Sequence, residues 1–551
     1  MYIFTPVFFC MNRLRKLLPL LLLAACNSRQ PADLVVHHAH IYTVDSAFST
    51  AEAMAIKDGK VLATGTDATI LAHYNAAQVV DARGQAVYPG LIDAHAHFVG
   101  YGRALYEVAL YDCADWQQVV ARVEEFATQH PNETWIRGRG WDQNKWPGKA
   151  LPDNSELNRL FPGKPVLLDR VDGHAAVANA AALKLAGVTA GTTIAGGVVG
   201  KTNGIPNGLL IDNAVALVTK VVPAPTAADY EKWLLAAQRN CFAQGLTTVT
   251  DCGLNYTDIY AIDSLQKQGK LLMNMYVMLS DDTANFARFL QQPPYKTERL
   301  YVKGVKAYAD GALGSRGACL LAPYGDQPGW QGFLLAGRGH YDSLAAMLVH
   351  TGYQLCTHAI GDSGNRMVLQ VYDRYLHGHN DKRWRIEHAQ VVNPDDLQLF
   401  GRNSIVPSVQ PTHATSDMYW AGERLGAERL KTAYAYRQLL EQNGWLPLGT
   451  DFPVEDISPF KTFYAAVVRK DAKGYPEGGF QKENALTRGQ ALRGMTIWAA
   501  RAGCLDKEIG SLEPGKKADF VILDRDLMMA ADTALLQTHV IATYSRGKSV
   551  H

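Results

Sequence analysis

Two imidazoles sit two positions apart in His95-Ala96-His97. Along an extended strand, residues i and i+2 point to the same face, so both rings can reach one metal ion. Buried, hydrogen-bonded histidines would explain such a pair equally well. Three more apolar runs, however, end in residues of the same chemical kind. His358 closes the run before Ala-Ile-Gly-Asp, His388 follows Ile-Glu, and Asp451 follows Leu-Gly-Thr. Imidazole nitrogen and carboxylate oxygen are the ligand set of zinc and similar ions. A further run carries Lys306, in Val-Lys-Ala-Tyr-Ala-Asp. An ammonium ion cannot bind a metal, but a lysine desolvated beside cations moves toward its neutral amine. That amine can combine with carbon dioxide as a carbamate, an anionic two-oxygen ligand able to bridge two ions.

These residues need a scaffold that gathers strand ends. Eight candidate strands cover 91–97, 246–251, 273–279, 304–310, 353–358, 383–388, 404–410 and 446–451, and helical stretches separate them. This is the pattern of parallel βα units. The expected fold class is α/β, a (β/α)8 TIM barrel spanning 90–502. In such barrels the active residues sit where strands run into their following loops. About 150 residues separate the first two strands, far more than a βα connection needs. Residues 101–240 therefore read as an insertion after the first strand, with a strand-like piece of its own at 165–172. Both chain ends are β-rich, with a hairpin turn at Asp58-Gly59. Segments 34–89 and 503–551 are expected to form one discontinuous β-sandwich domain.

Composition narrows the function. The 551 residues carry a net charge of +1, with 47% apolar and 19% charged residues. Neither the balance nor any basic run argues for nucleic acid. The eight cysteines are scattered without a Cys-x-x-Cys pair, against a zinc knuckle or a disulfide framework. Residues 1–26 read as a signal peptide. A basic stretch from Met11, the expected true start, precedes a short apolar run and Leu-Ala-Ala-Cys26. That ending resembles a bacterial lipobox. It predicts a lipidated Cys26, a polar tether over 27–33, and an exported lipoprotein on the periplasmic face of an outer membrane. A generic signal peptide with a chance cysteine is the alternative.

The chain is identified as resembling the amidohydrolase superfamily, in the family 3 group that includes YtcJ-like proteins and N-substituted formamide deformylases. The resemblance spans nearly all of the mature chain. Besides the ligand-type residues it rests on Pro-Gly-Leu-Ile-Asp-Ala-His-Ala-His (89–97), Gly-Arg-Gly-Trp-Asp (138–142), Asp-Gly-Ala-Leu-Gly-Ser-Arg-Gly-Ala (310–318) and Gly-Ser-Leu-Glu-Pro-Gly-Lys-Lys-Ala-Asp (510–519). The resemblance implies one or two divalent ions, with zinc expected. His95, His97 and Asp451 would hold one, His358 and His388 the second, and Lys306 as carbamate would bridge. It further implies hydrolysis of a non-peptide carbon–nitrogen bond of amide, N-acyl or formamide type, with Asp451 as general base.

Candidate substrate contacts are Trp141, Asp142, His174, Arg316, Gln410 and His413, each with an ordinary packing or charge-pairing role as the alternative. Trp135, Trp141 and Trp146 hint at an aromatic lining. Other readings are an ester or lactone hydrolase, an isomerase on the same scaffold, or a non-catalytic binding lipoprotein. The partners expected are a small amide-type molecule, the membrane through the lipid anchor alone, and a second copy of the chain in a homodimer.

Overall fold

The computed structural model describes residues 1–6 and 29–551. Cys26 and the apolar run before it lie outside the described residues. At the centre, seven parallel strands follow one another around a barrel. They are Leu91–Ala96, Leu246–Leu254, Asn274–Ser280, Leu300–Tyr308, Gln354–Ala359, Arg385–His388 and Val406–Ser408. Their side chains are buried on both faces, which is why they read as nearly continuous apolar runs. Helices cover the outside. Asp362–Leu376, for example, buries Met367, Val368, Val371 and Tyr372, a stripe at helical spacing.

The eighth stave differs from its expectation. Residues 446–451 form no regular strand. A single parallel bridge joins Val409 to Leu448. Ala94 N donates to Leu448 O at 3.1 Å, and Gly449 N donates to Val409 O at 3.0 Å. Two residue types explain the thin ladder. Pro447 has no N–H to donate. Gly449 is pressed so close to the first strand that a Cβ there would sit 2.5 Å from His95 N.

Strands from the two chain ends share one sheet, because Phe520–Leu523 pairs antiparallel with Ala86–Pro89. A second sheet runs Lys60–Gly65, Ala53–Lys57, Gln30–His37, Tyr74–Asp81. Leu34, Ile41, Met54, Val87 and Phe520 pack in the core between the two sheets. The strand starting at Gln30 corrects the reading of 27–33 as a polar tether. Gln30 to Ala32 pair in parallel with Tyr74 to Ala76, and Ala32 is buried.

A third sheet, of six strands between Val108 and Asp212, stands over the barrel mouth. It is seated by cut-outs in the loop after the fourth barrel strand. A Cβ at Gly311 or Gly317 would collide with the Asp212 carboxylate, and one at Gly314 would lie 3.1 Å from the Arg170 guanidinium. Asn144 Nδ2 also donates to Gly314 O at 3.3 Å. Among the described residues no helix is long and apolar enough to cross a membrane.

Candidate active site

The strand ends converge. His95 Nε2 lies 3.6 Å, and His97 Nε2 3.2 Å, from Asp451 Oδ1. The His388 ring is 4.8 Å from the His95 ring and 4.6 Å from the His358 ring, centre to centre. Lys306 Nζ stands 3.5 Å from His95 Nε2. All six residues proposed as ligands from the sequence thus lie together at the carboxyl ends of the strands, all buried except His97, whose side chain is 29% exposed. The ligand atoms of His95, His97 and Asp451 lie within 4.8 Å of one another, as do those of His388, His413 and Asp451. The second grouping brings in His413, whereas the sequence had pointed to His358 beside His388. Two of these positions also carry backbone strain: His388 has φ 71° and Asp451 φ 64°. Left-handed backbone is costly for residues with a Cβ and concentrates at functional sites.

A supporting shell fixes the rings. Glu387 Oε2 sits 2.5 Å from His95 Nδ1 and is itself held by Arg385, whose Nη2 donates to Glu387, to Ala94 O at 2.6 Å and to Ser408 Oγ at 2.7 Å. Asp93 clamps the first stave to the eighth. It accepts from His95 N at 3.1 Å and from the Thr450 hydroxyl at 2.7 Å, which presents Asp451. Asp310 accepts from Ile360 N at 3.0 Å and from Gly361 and Cys319 N at 2.8 Å. That ties the exits of the fourth and fifth strands together beside His358.

Charge states follow from burial and neighbours. Burial drives the His358 and His388 rings well below the ordinary histidine value and takes His95 down to about 4. All three are neutral imidazoles with a lone pair to offer. Burial opposes the charge on Asp451, but His95, His413 and His97 outweigh it and hold the group as a carboxylate. Burial also disfavours charge on Lys306; Tyr308, Cys252, Glu387 and Asp451 restore it and lift the amine above the ordinary lysine value. The side chains alone therefore keep Lys306 protonated, in contrast to the neutral amine expected beside cations. Among the described residues it has no carboxylate at ion-pair distance.

The site opens into a cavity of about 1110 Å³ lined by barrel loops and by the insertion. Of the candidate substrate contacts, Asp142, His174 and His413 line it. His174 Nδ1 lies 2.7 Å from Asp212 Oδ1, and its ring is 5.0 Å from that of His358. Burial opposes protonation of His174, but the Asp212 bond raises its pKa above the ordinary value. His413 Nε2 lies 3.2 Å from Asp451 Oδ2.

Three candidates do not reach the cavity. Trp141 is fully buried in the insertion core, its indole N–H donating to Leu168 O at 2.8 Å. Arg316 is engaged by Asp326 at 2.9 Å. Gln410 is buried behind the seventh strand, bonded to Ser408 O at 3.2 Å. Of the three clustered tryptophans only Trp135 lines the cavity, since Trp146 also packs in the insertion core, and Trp233, Tyr308 and Trp420 are aromatic residues of the lining that the sequence did not single out. Sequence reasoning missed Glu387, Arg385 and Asp212. Charges at i and i+2 in Arg385-Ile-Glu387 were the available signal, since a barrel strand turns both toward the interior.

The amidohydrolase family model matches residues 78–551. The chain belongs to the amidohydrolase family. The protein LONG AFTER FAR-RED 3 of Arabidopsis thaliana is 34% identical over 94% of this chain and 92% of its own length. The N-substituted formamide deformylase of Arthrobacter pascens is 27% identical over 94% of this chain and 98% of its own. A solved structure of an uncharacterized metal-dependent hydrolase from Pyrococcus horikoshii superposes with a TM-score of 0.75 at 28% identity, covering 91% of this chain and 99% of that one.

Amidohydrolases of this family are metal-dependent hydrolases, and the residues present fit a cation. Buried His388 Nδ1 and Asp451 Oδ1 make no hydrogen bond, and both residues belong to groupings of ligand-type side chains; His358 Nε2, also without a hydrogen bond, lies 3.7 Å from Asp310 Oδ1. Buried polar atoms are otherwise almost always paired. Neutral imidazole nitrogens gathered around a carboxylate are the donor set a divalent ion needs.

Proposed function

We propose that this amidohydrolase cleaves a carbon–nitrogen bond of a small non-peptide amide, N-acyl or formamide compound. The observation that carries the reading is the convergence of the His95, His97, His388 and His413 rings on Asp451. His95, His97 and Asp451 would hold one divalent ion, with zinc favoured by the ligand types, and His358 and His388 a second. Lys306, carboxylated, would bridge them, which accounts for a buried amine without a carboxylate partner. Such ions supply Lewis acidity at a carbonyl and acidify a neighbouring water.

The chain's own groups do the rest. Asp451, anchored through Oδ2 by His413, takes the proton of the attacking water and hands it to the departing amine. Glu387 fixes the His95 tautomer. His174, oriented by Asp212, offers an N–H to the substrate from the insertion side. The insertion covers the mouth and limits solvent. The Arthrobacter deformylase cleaves a bond of this class, and that similarity supports the reading. The leader sequence supports export with a lipid on Cys26, on the periplasmic side of an outer membrane.

Metal content of protein lacking residues 1–26, followed by an amide panel, tests the proposal. About two equivalents per chain, falling on Lys306→Ala, together with turnover of amides over matched esters, is expected for a bridged pair. No bound metal after reconstitution with zinc and bicarbonate would overturn it.

A further inference from the structure

Four arginines line the cavity: Arg103, Arg137, Arg139 and Arg170. Three are neutralised. Arg103 lies 3.2 Å from Glu107, Arg137 lies 3.0 Å from Asp169, and Arg170 is gripped by Asp142 and Asp172. Arg139 is different. Among the described residues no carboxylate stands at ion-pair distance from it. Nη2 donates to Val171 O at 3.0 Å, and the buried Nε, like those of Arg103 and Arg137, makes no hydrogen bond.

Its place is fixed from two sides. Arg137 and Arg139 alternate with buried positions along Ile136–Trp141, so the strand's period turns both toward the cavity. On one side is Gly173, where a Cβ would lie 3.3 Å from Nη2, and the next residue is His174. On the other, the backbone at Gly140 abuts Tyr111, whose hydroxyl donates to Pro453 O at 2.9 Å, two residues beyond Asp451. The guanidinium thus lies against the turn that bears His174, and its strand abuts Tyr111, which is bonded to the loop that bears Asp451.

We propose that Arg139 is the anion subsite of this cavity and that the substrate is an N-acyl carboxylate, such as an N-acyl amino acid, with its carboxylate on Arg139 and its amide at the strand ends. The inference rests on the C–N hydrolysis reading and names its substrate class. A planar five-donor fork matches a carboxylate. One guanidinium without a carboxylate partner balances a single negative charge.

The test uses the metal-loaded full chain. Calorimetry compares 3-benzoylpropionate, which has no scissile C–N bond between its ketone and carboxylate, with its primary amide. The carboxylate is expected to bind about tenfold tighter or better, the scale of a charge-assisted hydrogen bond. Arg139→Gln should remove most of that preference and Arg139→Lys should keep part of it. Metal content and circular dichroism of both variants establish that they fold, and the Lys variant carries the comparison should the Gln variant fail. Equal affinity in the wild type, or a preference that survives Arg139→Gln, overturns the subsite.

Turnover separates the two readings. N-formyl-, N-acetyl- and N-benzoylglycine are compared with the corresponding N-acylpropylamines. Faster cleavage of the glycine members supports both readings. Equal cleavage of both series overturns the subsite and leaves the C–N hydrolase standing. Arg139-dependent binding with no cleavage of either series supports the subsite and counts against the hydrolysis reading.

Discussion

Two buried charged clusters flank one cavity and are built in opposite ways. Under the insertion, Arg170 is 2% exposed, and every guanidinium nitrogen meets an acceptor, on Gln143, Asp172 and Asp142. At the barrel mouth, His358, His388 and Asp451 are buried as deeply, yet each leaves an atom without a partner. A complete buried network holds two pieces of chain in one arrangement. An incomplete one made of ligand-type side chains is where a bound ion would supply the missing partner. Burial is alike in the two places; what distinguishes the site from the strut is that ligand-type side chains at strand ends are left short of hydrogen bonds.

The comparison breaks most sharply at Asp451. Asp451→Asn should lower kcat by about 10²–10⁴-fold, the span of general-base catalysis, while metal analysis finds the ions retained. Turnover within about tenfold of wild type would mean that the orphaned carboxylate oxygen serves the metal alone.

Arg170 should respond in the other currency. Arg170→Ala leaves Asp142 and Asp172 without their cation and should cost about 3–5 kcal/mol of stability, read from urea unfolding, with metal content per folded chain unchanged. A variant that unfolds normally but loses metal would erase the distinction between the two clusters.

The barrel was legible because its strands follow the one rule that sequence displays directly, short apolar runs between helical stretches. The ligand candidates were legible because they end those runs. What stayed hidden depends on contacts between distant positions. Glu387 adjoins His388, yet its partner is His95, 292 positions away, and no spacing reveals that. Asp212 meets His174 only because the third sheet folds back over the mouth. Trp141 misled because an aromatic beside a glycine-rich turn suits a pocket wall and a core equally well; the indole bond to Leu168 O decides for the core. The eighth stave misled more mildly, since Pro447 and Gly449 thin a ladder whose hydrophobic pattern is otherwise that of a strand.

Glu387 offers a finer test, because it stands between the two kinds of cluster, bonded to Arg385 on one side and to a ligand ring on the other. Glu387→Gln should weaken metal binding by about 10–100-fold, measured by competition with a chromogenic chelator. No change in affinity would assign it to the scaffold. The smallest effect belongs to an exposed pair that also spans insertion and barrel, Lys149–Glu423, with side chains 35% and 50% exposed. A double-mutant cycle there should return under about 1 kcal/mol. A larger coupling would show that surface charge, rather than the buried network, fastens the insertion.

The cut-outs at Gly311 and Gly317 make that fastening a matter of address. Asp212 enters a recess that exists only where two side chains are missing. A foreign insertion grafted onto this barrel would need a short acidic residue at the same point, and this insertion moved to another barrel would have to bring residues 310–318 with it. New specificities are therefore more readily gained by changing side chains within the resident insertion than by exchanging it whole.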